Sequence, residues 1–410
     1  MGWHNCNLYR SIFDYQERHL IMGHDRFIPF CKPTIEDDEI AEVVESLKSG
    51  WITTGPKVAK FEEEFRQYHG GHQKAIAVNS ATAGLHLCLA TLDLEHGDEV
   101  ITTSITWPST VNNIVLCGAR PVFADVDRDT LQIDPADIEK KINSRTKAIM
   151  PVHFAGAPVD LDKIWQLCKE HGLHLIEDAA HAVGSKYKDT LIGSKSEAAV
   201  FSFHPIKNMT TGEGGMILCN NPQMAERIKR LRFHGISRDA WKRYSKGGSP
   251  HYQVVEPGFK YNMLDIQAAL GLHQLRKLER FNKARAELAY NYMKLLKDID
   301  EILPLVPPSY PHNHAWHLFI VRLDTKRMKV DRDQFIAELQ EEGVGIGLHF
   351  PAVHLQQFYK EKFGFKKGSL PNAEWNSDRL FSLPLYPLLT PKQQEQVVDT
   401  LKKLVKRHKR

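Results

Sequence analysis

The sequence predicts an α/β protein with a mainly parallel sheet in a large domain and a smaller α/β domain towards the C-terminus. From residue 75 onward, short apolar runs of strand length alternate with segments of helical periodicity. This alternation is typical of parallel sheets covered by helices, whose ligands gather at the carboxyl ends of the strands. The 410 residues allow two or three domains, and 42% hydrophobic and 25% charged residues are ordinary for a soluble globular protein.

The organised part of the chain begins after its first 27 residues. Residues 1–27 carry aromatic residues and histidines without a clear period, and Met22 could serve as a second start. We therefore treat 1–27 as an N-terminal extension without an assigned role. Residues 28–274 form the predicted large domain, and residues 275–410, which contain the proline-rich joint 303–311, form the predicted small domain.

One helix is predicted ahead of the first strand. Thr34 is the predicted N-cap of this helix, and the helix is predicted to end at Ser49–Gly50. Apolar residues supply one face of this helix: Ile40, Val43, Val44 and Leu47.

The remaining elements follow in order. Strands are predicted at 75–78, 99–102, 121–124, 147–153, 173–178, 198–201 and 216–219. Helices are predicted at 85–92, around 111–116 and from Asp134–Pro135 onward. In the C-terminal part, helices are predicted over 263–295 and 331–342, and strands over 316–322 and 344–349.

Charge and cysteine usage narrow the class of protein. A formal charge of +4 does not predict a nucleic-acid or membrane surface, and we interpret the basic tail 402–410 as the solvated end of a last helix. Six cysteines without a Cys-x-x-Cys pair are expected to be free thiols in a reducing compartment. We expect no membrane span, signal peptide or metal site, and predict a cytoplasmic protein with small-molecule substrates.

The central candidate residue is Lys207. It lies in a loop, 202–215, between two predicted core strands, and the glycines at the end of this loop let a ligand approach the backbone. An amine held there and partly removed from water is suited to lose its proton and attack a carbonyl. The alternative is a surface lysine, which is what most of the 54 basic residues must be.

A second candidate site lies at the turn after the first strand. This turn, 79–84, contains small residues and hydroxyls, among them Thr82 and Ala83, and leads into a helix. Free backbone N–H groups and the positive end of a helix meet at such a turn and hold a phosphate. Ser and Thr also cap helices without any ligand, so the turn alone is weak support. Neither a GxGxxG nor a P-loop motif occurs in the sequence.

Asp178 is the acidic residue whose position in the sequence most indicates a functional site. It ends the predicted strand 173–178, where an unpaired buried carboxylate would be costly, so it caps a helix, pairs with a cation or belongs to a site. Together with Lys207, the phosphate turn and Trp107, whose ring is able to stack on a flat heterocycle, it forms a set that suits pyridoxal phosphate (PLP). The aldehyde of PLP reacts with a lysine amine, and its ring acts as an electron sink.

Six separate motifs resemble the DegT/DnrJ/EryC1/StrS family of PLP-dependent sugar aminotransferases. They are GWITTGP (50–56), NSATAGLH (79–86), PSTVNNI (108–114), IEDAAHAVG (176–184), SFHPIKNMTTGEGG (202–215) and GFKYNM (258–263). The similarity extends from about residue 28 to the C-terminus and includes HAWHLFIVRL (314–323) and GIGLHFPAVH (345–354). The resemblance implies a fold-type I PLP-dependent transferase that works as a homodimer with shared active sites.

Carried over residue by residue, the resemblance implies individual roles. Lys207 matches the lysine that binds the cofactor covalently and shuttles protons, and Asp178 matches the carboxylate that keeps the ring nitrogen protonated. Trp107 matches the aromatic residue on the ring, and His181 stands near the ring hydroxyl. The residues that match phosphate contacts are Thr82, the backbone of Ala83, Ser202 and, from the neighbouring subunit, Asn262.

The resemblance further implies amino transfer from glutamate to a 4-keto sugar nucleotide. Several segments are similar to the branch that aminates UDP-4-keto-pentose to UDP-4-amino-4-deoxy-L-arabinose for lipopolysaccharide or polysaccharide biosynthesis, although TTGEGG (210–215) is common in other branches. Substrate contacts are expected at Trp51, Thr53, Thr54 and His349, the last of which polar packing would also explain. The alternatives are a 4-keto-6-deoxyhexose, a 3-keto sugar, or a noncatalytic or dehydratase-like member. The dehydratase branch has His in place of the lysine.

Overall fold

The computed structural model describes residues 27–237 and 252–410. The predicted extension 1–27 lies outside these residues, apart from Phe27, which is exposed. Within the described ranges, no helix combines the length and apolar character needed to cross a membrane. The five cysteines of these ranges are free thiols, and three of them are buried.

The strands of the described chain fall into three sheets. They are β1 (Lys74–Val78), β2 (Glu99–Thr103), β3 (Arg120–Ala124), β4 (Thr146–Met150), β5 (His174–Asp178), β6 (Lys186–Tyr187), β7 (Thr190–Leu191), β8 (Ala198–Ser202), β9 (Gly215–Cys219), β10 (Ile302–Pro304), β11 (His312–Asn313), β12 (Phe319–Leu323) and β13 (Leu380–Leu383). The central sheet has seven strands in the order β1-β9-β8-β5-β4-β2-β3. Only β9 is antiparallel to its neighbours, which confirms the predicted mainly parallel sheet.

Helices flank these sheets and connect their strands. They are α1 (Asp37–Ser49), α2 (Pro56–Tyr68), α3 (Ala81–Ala90), α4 (Pro108–Leu116), α5 (Pro135–Lys141), α6 (Leu161–His171), α7 (Pro222–Leu231), α8 (Asp265–Leu295), α9 (Arg332–Glu341), α10 (Gln357–Phe363), α11 (Pro371–Ser377) and α12 (Pro391–His408). Several begin with proline, whose fixed φ suits the first helical turn. Strands β2, β8 and β9 are buried along their whole length, as expected when helices cover both faces of a sheet.

Strand ends meet at one edge of the central sheet. The register places Val78, the last residue of β1, and Ser202, the last residue of β8, on either side of Gly215. Asp178, the last residue of β5, pairs with Val200 of β8. The loop that carries Lys207 therefore begins at the sheet edge where Asp178 and the turn before α3 also lie. Parallel sheets bind ligands at this edge, which is formed by the carboxyl ends of the strands.

The C-terminal part contains the sheet β10-β12-β13. Its apolar core takes in residues from both ends of the described chain, since Ile28, Tyr292 and Leu401 belong to one buried cluster. Helix α8 runs without interruption through the predicted domain boundary at 274/275 and connects the two parts. The division into 28–274 and 275–410 stays a prediction.

Two predicted strands of the C-terminal part differ from the structure. The strand predicted to begin at Trp316 begins at Phe319, because backbone hydrogen bonds from Ala315 to Gly156 (3.0 Å) and from Leu318 to Ala155 (3.2 Å) draw the preceding residues to the edge of the central sheet. The strand predicted over 344–349 is reduced to isolated pairings, which include those of Val344 with Ile28 and of Gly347 with Ser382.

Helix α1 turns its apolar face outward. Ile40 and Leu47 are 54% and 56% exposed, and Val44 is also exposed. The opposite, acidic face packs on α8, where buried Glu39 accepts hydrogen bonds from Gln274 (2.8 Å) and Lys277 (2.7 Å). The cap of this helix is Glu36 instead of Thr34. Three of the four residues of the predicted apolar face are therefore exposed, and hydrogen bonds and an ion pair of Glu39 attach α1 to α8.

Candidate active site

The loop between β8 and β9 holds Lys207 in place through its neighbours. The Lys207 N–H donates to the carbonyl of His204 (2.8 Å). The side-chain amide of Asn208 donates to Asn282 of α8 (2.7 Å) and to the carbonyl of Ala315 (2.7 Å). The loop is thus tied both to α8 and to the segment ahead of β12.

The amine of Lys207 lies in a weakly solvated place. Burial lowers the pKa of Lys207 from 10.5 to about 8, and the carboxylate of Asp178 only partly opposes this effect. At pH 7 about a tenth of this amine is therefore unprotonated, a far larger fraction than for an ordinary lysine, and the ammonium form still predominates. Lys207 Nζ lies 3.4 Å from Nε2 of His317. This environment suits a nucleophilic amine.

The carboxylate of Asp178 is buried at the end of β5. It accepts hydrogen bonds from the hydroxyl of Thr110 (2.7 Å) and from the N–H of Ala180 (3.1 Å). Burial raises the pKa of Asp178, and these two hydrogen bonds oppose the rise. No lysine, arginine or histidine in the described part of the chain lies within ion-pair distance of Asp178, so the carboxylate is suited to receive a cationic N–H from a ligand.

Three imidazoles lie near Lys207. The rings of His181 and His317 have centroids 4.4 Å apart, and Nδ1 of His181 accepts the N–H of Ala155 (3.3 Å). His349 stacks on Phe30 and shares a hydrogen bond with the hydroxyl of Ser382 (2.9 Å). Burial lowers the pKa values of His181 and His317 far below the usual range and that of His349 to about 3. All three imidazoles are neutral at pH 7, so each is able to donate or accept a hydrogen bond to a ligand without adding a charge to the site.

Trp107 stands at the start of α4 and is 61% exposed. Its ring centroid lies 5.9 Å from that of Phe350, which also stacks on His181 (5.8 Å). One helical turn later, Thr110 reaches Asp178. The ring of Trp107 therefore stands at the solvent side of the group formed by Asp178 and His181.

The predicted phosphate turn lies at the same edge. Ser80 caps α3 by accepting the N–H of Ala83 (3.1 Å), and Thr82 is exposed. The first N–H groups of a helix have no partner within the helix, so this end is available to an anion. A Cβ at Gly215 would lie 2.7 Å from the nitrogen of Ala81, so only glycine lets this turn approach β9 so closely.

The remaining predicted residues form a second group beyond β1. Asn262 bridges to Val78, and its side-chain amide donates to the hydroxyl of Thr54 (2.6 Å). The indole N–H of Trp51 donates to the carbonyl of Thr54 (3.2 Å), and Thr53 is exposed. Three inter-strand spacings, about 14 Å, separate Asn262 from Ser202. Within one chain, the described hydrogen bonds do not connect this group to Lys207.

Several site residues were missed in the sequence. Thr110 lies in the motif PSTVNNI, one turn after Trp107, so helical spacing could have indicated it. His317 was assigned to a strand of the C-terminal part, and only the fold brings it to Lys207. Asn208 and Asn282 are 74 positions apart, and no local pattern predicts that they pair.

Comparison with known proteins identifies the family of this chain. Residues 33–402 match the sequence profile of the DegT/DnrJ/EryC1/StrS aminotransferase family. The chain belongs to this family. It is 48% identical to the uncharacterised protein MJ1066 of Methanocaldococcus jannaschii over 385 residues, which are 94% of this chain and 99% of the relative.

Solved structures of family members share the whole fold. Helicobacter pylori PseC, an aminotransferase involved in the biosynthesis of pseudoaminic acid, has a TM-score of 0.86 and 30% identity, covering 93% of this chain and 100% of its own. Spr1654 of Streptococcus pneumoniae, a proposed sugar aminotransferase, has a TM-score of 0.85 and 32% identity in its PLP form, covering 93% and 99%. The protein is accordingly a PLP-dependent sugar aminotransferase with the α/β fold of fold type I.

Proposed function

We propose that this family member transfers the amino group of glutamate to UDP-4-keto-pentose, forming UDP-4-amino-4-deoxy-L-arabinose, with Lys207 as the lysine that binds the cofactor. The observation that carries the proposal is the enclosed amine of Lys207, with a pKa of about 8, at the sheet edge that also presents Asp178. Such an amine is nucleophilic near neutral pH and is able to take up and release a proton during turnover.

The residues at this edge fit PLP. Asp178 offers a buried carboxylate for the ring nitrogen, and Thr110 keeps it oriented. The start of α3 at Thr82, together with the hydroxyl of Ser202, offers donors for the phosphate, and the N–H of Ala83 joins them if the phosphate replaces the Ser80 hydroxyl as its acceptor. When bound, PLP supplies an aldehyde that captures amines and a ring that withdraws electrons.

The side chains then have separate tasks. Lys207 moves a proton at Nζ, and its lowered pKa brings the protonated and neutral forms close in free energy. Asp178 keeps its partner nitrogen protonated, because that positive charge compensates the buried carboxylate. Trp107 covers one face of the site and limits the access of water. His181, whose Nδ1 accepts from the backbone, carries its proton on Nε2 and is able to donate to the ring hydroxyl.

The keto sugar is expected to contact His349, because Phe30 and Ser382 fix its neutral ring close to Lys207. Trp51, Thr53 and Thr54 are expected to contact the nucleotide, and no described hydrogen bond connects them to Lys207 of the same chain. We propose that the protein is a homodimer in which the group around Asn262 completes the partner's site, as the family resemblance implies.

Helix α1 supports a homodimer. Its exposed apolar face, the residues Ile40, Val44 and Leu47, leads directly into the segment that contains Trp51. Exposed apolar side chains of this number on one helix face are expected to be covered by another protein surface. A second copy is the occupant that would also bring the Asn262 group to a site.

The mass of the particle in solution tests the homodimer. Light scattering should give twice the chain mass for the wild type, and the double variant Ile40→Glu/Leu47→Glu should give a monomer. Leu116→Glu is the control, since Leu116 is 71% exposed on another helix. A dimeric double variant would contradict this assignment of the interface.

Two measurements test the reaction. Borohydride reduction of the PLP-loaded protein, followed by peptide mass spectrometry, should place the cofactor on Lys207. The glutamate-loaded enzyme should then react with UDP-4-keto-pentose faster than with 4-keto-6-deoxyhexoses on UDP or dTDP. One carbon changes selectivity by only about 1 to 3 kcal/mol, so all sugars must be compared side by side. A reaction with only a 3-keto sugar would refute the proposed position of amination.

A further inference from the structure

The amine of Lys207 has one hydrogen-bond partner in the described ranges, Nε2 of His317 at 3.4 Å. We propose that His317 is a positioning residue that holds the free amine of Lys207 at the point from which it attacks the cofactor, and that it does so as a neutral imidazole. This inference rests on the proposed function, in which Lys207 binds PLP.

The ring of His317 has little freedom to move. It is 2% exposed and packs against His181. Arg285, itself buried, donates to the carbonyl of His317 (3.2 Å) and to that of Leu385 (2.8 Å). A Cβ at Gly156 would lie 3.0 Å from the nitrogen of His317, so this backbone is in close contact with the sheet edge. A ring fixed in this way is able to fix its hydrogen-bond partner.

The surroundings of His317 favour its neutral form. Burial lowers its pKa, and four nearby groups lower it further, namely Lys207, His181, Arg285 and His349. Among the described residues, no carboxylate is one of the main influences on its pKa. His317 therefore remains neutral over the range in which Lys207 titrates.

The tautomer follows from the second ring nitrogen. Nδ1 of His317 is buried and has no hydrogen-bond partner in the described structure. A neutral imidazole carries one N–H, and a buried N–H without an acceptor is costly. The proton is therefore on Nε2, where the lone pair of the neutral Lys207 amine accepts it. Once Lys207 has lost its proton, which happens as the pH rises through about 8, both members of this pair are uncharged.

Holding the amine has a kinetic consequence. A lysine side chain that is free to rotate must lose rotamer entropy to reach one position. His317 orders the amine before the cofactor arrives, so this cost is removed from the step in which the covalent bond forms. The expected benefit is in rate and not in the affinity for the phosphate or the ring.

The test measures covalent capture of PLP by the cofactor-free full chain. Capture is stopped with borohydride at successive times and counted on the Lys207 peptide by mass spectrometry. Loss of one neutral hydrogen bond should make His317→Leu about 3- to 10-fold slower, and His317→Gln should recover most of the rate. Affinity for pyridoxine phosphate, which has an alcohol in place of the aldehyde, should change by less than about twofold.

A matched control separates positioning from packing. His314→Leu removes a ring of the same segment that stacks on Trp316 at 3.9 Å and does not contact Lys207. Its capture rate should equal that of the wild type. The wild-type rate should rise with pH in a single step whose midpoint is at a pH of about 8, without a second step at the usual histidine pKa of about 6.5.

Three results would overturn the inference: a wild-type rate in His317→Leu, an equal loss in His314→Leu, or a second, histidine-like step in the pH profile. PLP trapped on a different lysine in the wild type would instead refute the proposed function, and the inference with it.

Discussion

Replacing Gly215 by alanine should damage the phosphate turn directly. A Cβ at this position would lie 2.7 Å from the nitrogen of Ala81, 2.8 Å from the carbonyl carbon of Ser80 and 2.9 Å from the carbonyl oxygen of Phe201. All three are backbone atoms, so no side chain is able to move aside. Relief requires that the turn before α3 shift away from β9, and overpacking of this kind costs about 1 to 3 kcal/mol.

The shift should also weaken cofactor binding. If the displaced turn loses one charge-assisted hydrogen bond to the phosphate, about 1.5 to 3 kcal/mol is lost, which corresponds to roughly 10- to 100-fold weaker binding of PLP. Denaturant unfolding of the cofactor-free protein measures the first effect, and equilibrium titration with pyridoxine phosphate measures the second.

Gly271→Ala is the control for this prediction. Its Cβ would lie 2.7 Å from the ring of Phe61, in the contact between α2 and α8, so it should lower stability without lowering phosphate affinity. Wild-type stability and affinity in Gly215→Ala would show that the turn is not confined by β9. Equal losses of affinity in both variants would show that general destabilisation, and not the turn, is responsible.

Three further predictions concern the active site. Lys207→Met should stabilise the cofactor-free protein at pH 7, because the buried ammonium is unfavourable in the folded state. Folding lowers the pKa of Lys207 from 10.5 to about 8, so this gain in stability should shrink as the pH rises from about 8 to 10.5. Equal unfolding midpoints of the variant and the wild type at pH 7 would contradict the prediction. Asp178→Asn should lower the rate of amino transfer about 100- to 1,000-fold with the fold intact, and an unchanged rate would mean that the cofactor is misplaced. Mixing Lys207→Ala with Asn262→Ala protein should restore up to about a quarter of the sites, and no recovery after confirmed subunit exchange would mean that each site is built from one chain.

The residues around Lys207 show how much of the fold and of the candidate site a local sequence pattern is able to predict. Strand-length apolar runs that end in Asp178 and Ser202 predict both strands and their ends, because period and composition are properties of short segments. Parallel strands then bring their carboxyl ends to one edge, so the meeting of Asp178, Ser202 and the Lys207 loop could be expected without coordinates. The motifs in these segments predicted the family, which is confirmed.

The second group of site residues shows a different limit. The motifs at Trp51 and Asn262 indicate contacts with substrate and phosphate, but a motif does not determine whether those contacts are made within one chain or to a neighbouring subunit. In the structure both lie beyond β1, joined to each other through Thr54. The distance from Lys207 depends on the order of strands in the sheet, which no single segment specifies.

The sequence by itself predicted the fold class, which is confirmed, and it predicted the lysine, the acid and the phosphate turn, which stay predictions. Each of these depends on a few neighbouring residues. Only the tertiary structure decided that His317 reaches Lys207, 110 positions away, and that α1 turns its apolar face outward. It also decided the lowered pKa of Lys207, because burial is the sum of contacts from distant segments. The physical reason is the same in each case: periodicity predicts which face of an element is apolar, whereas the packing of the whole chain determines what that face meets.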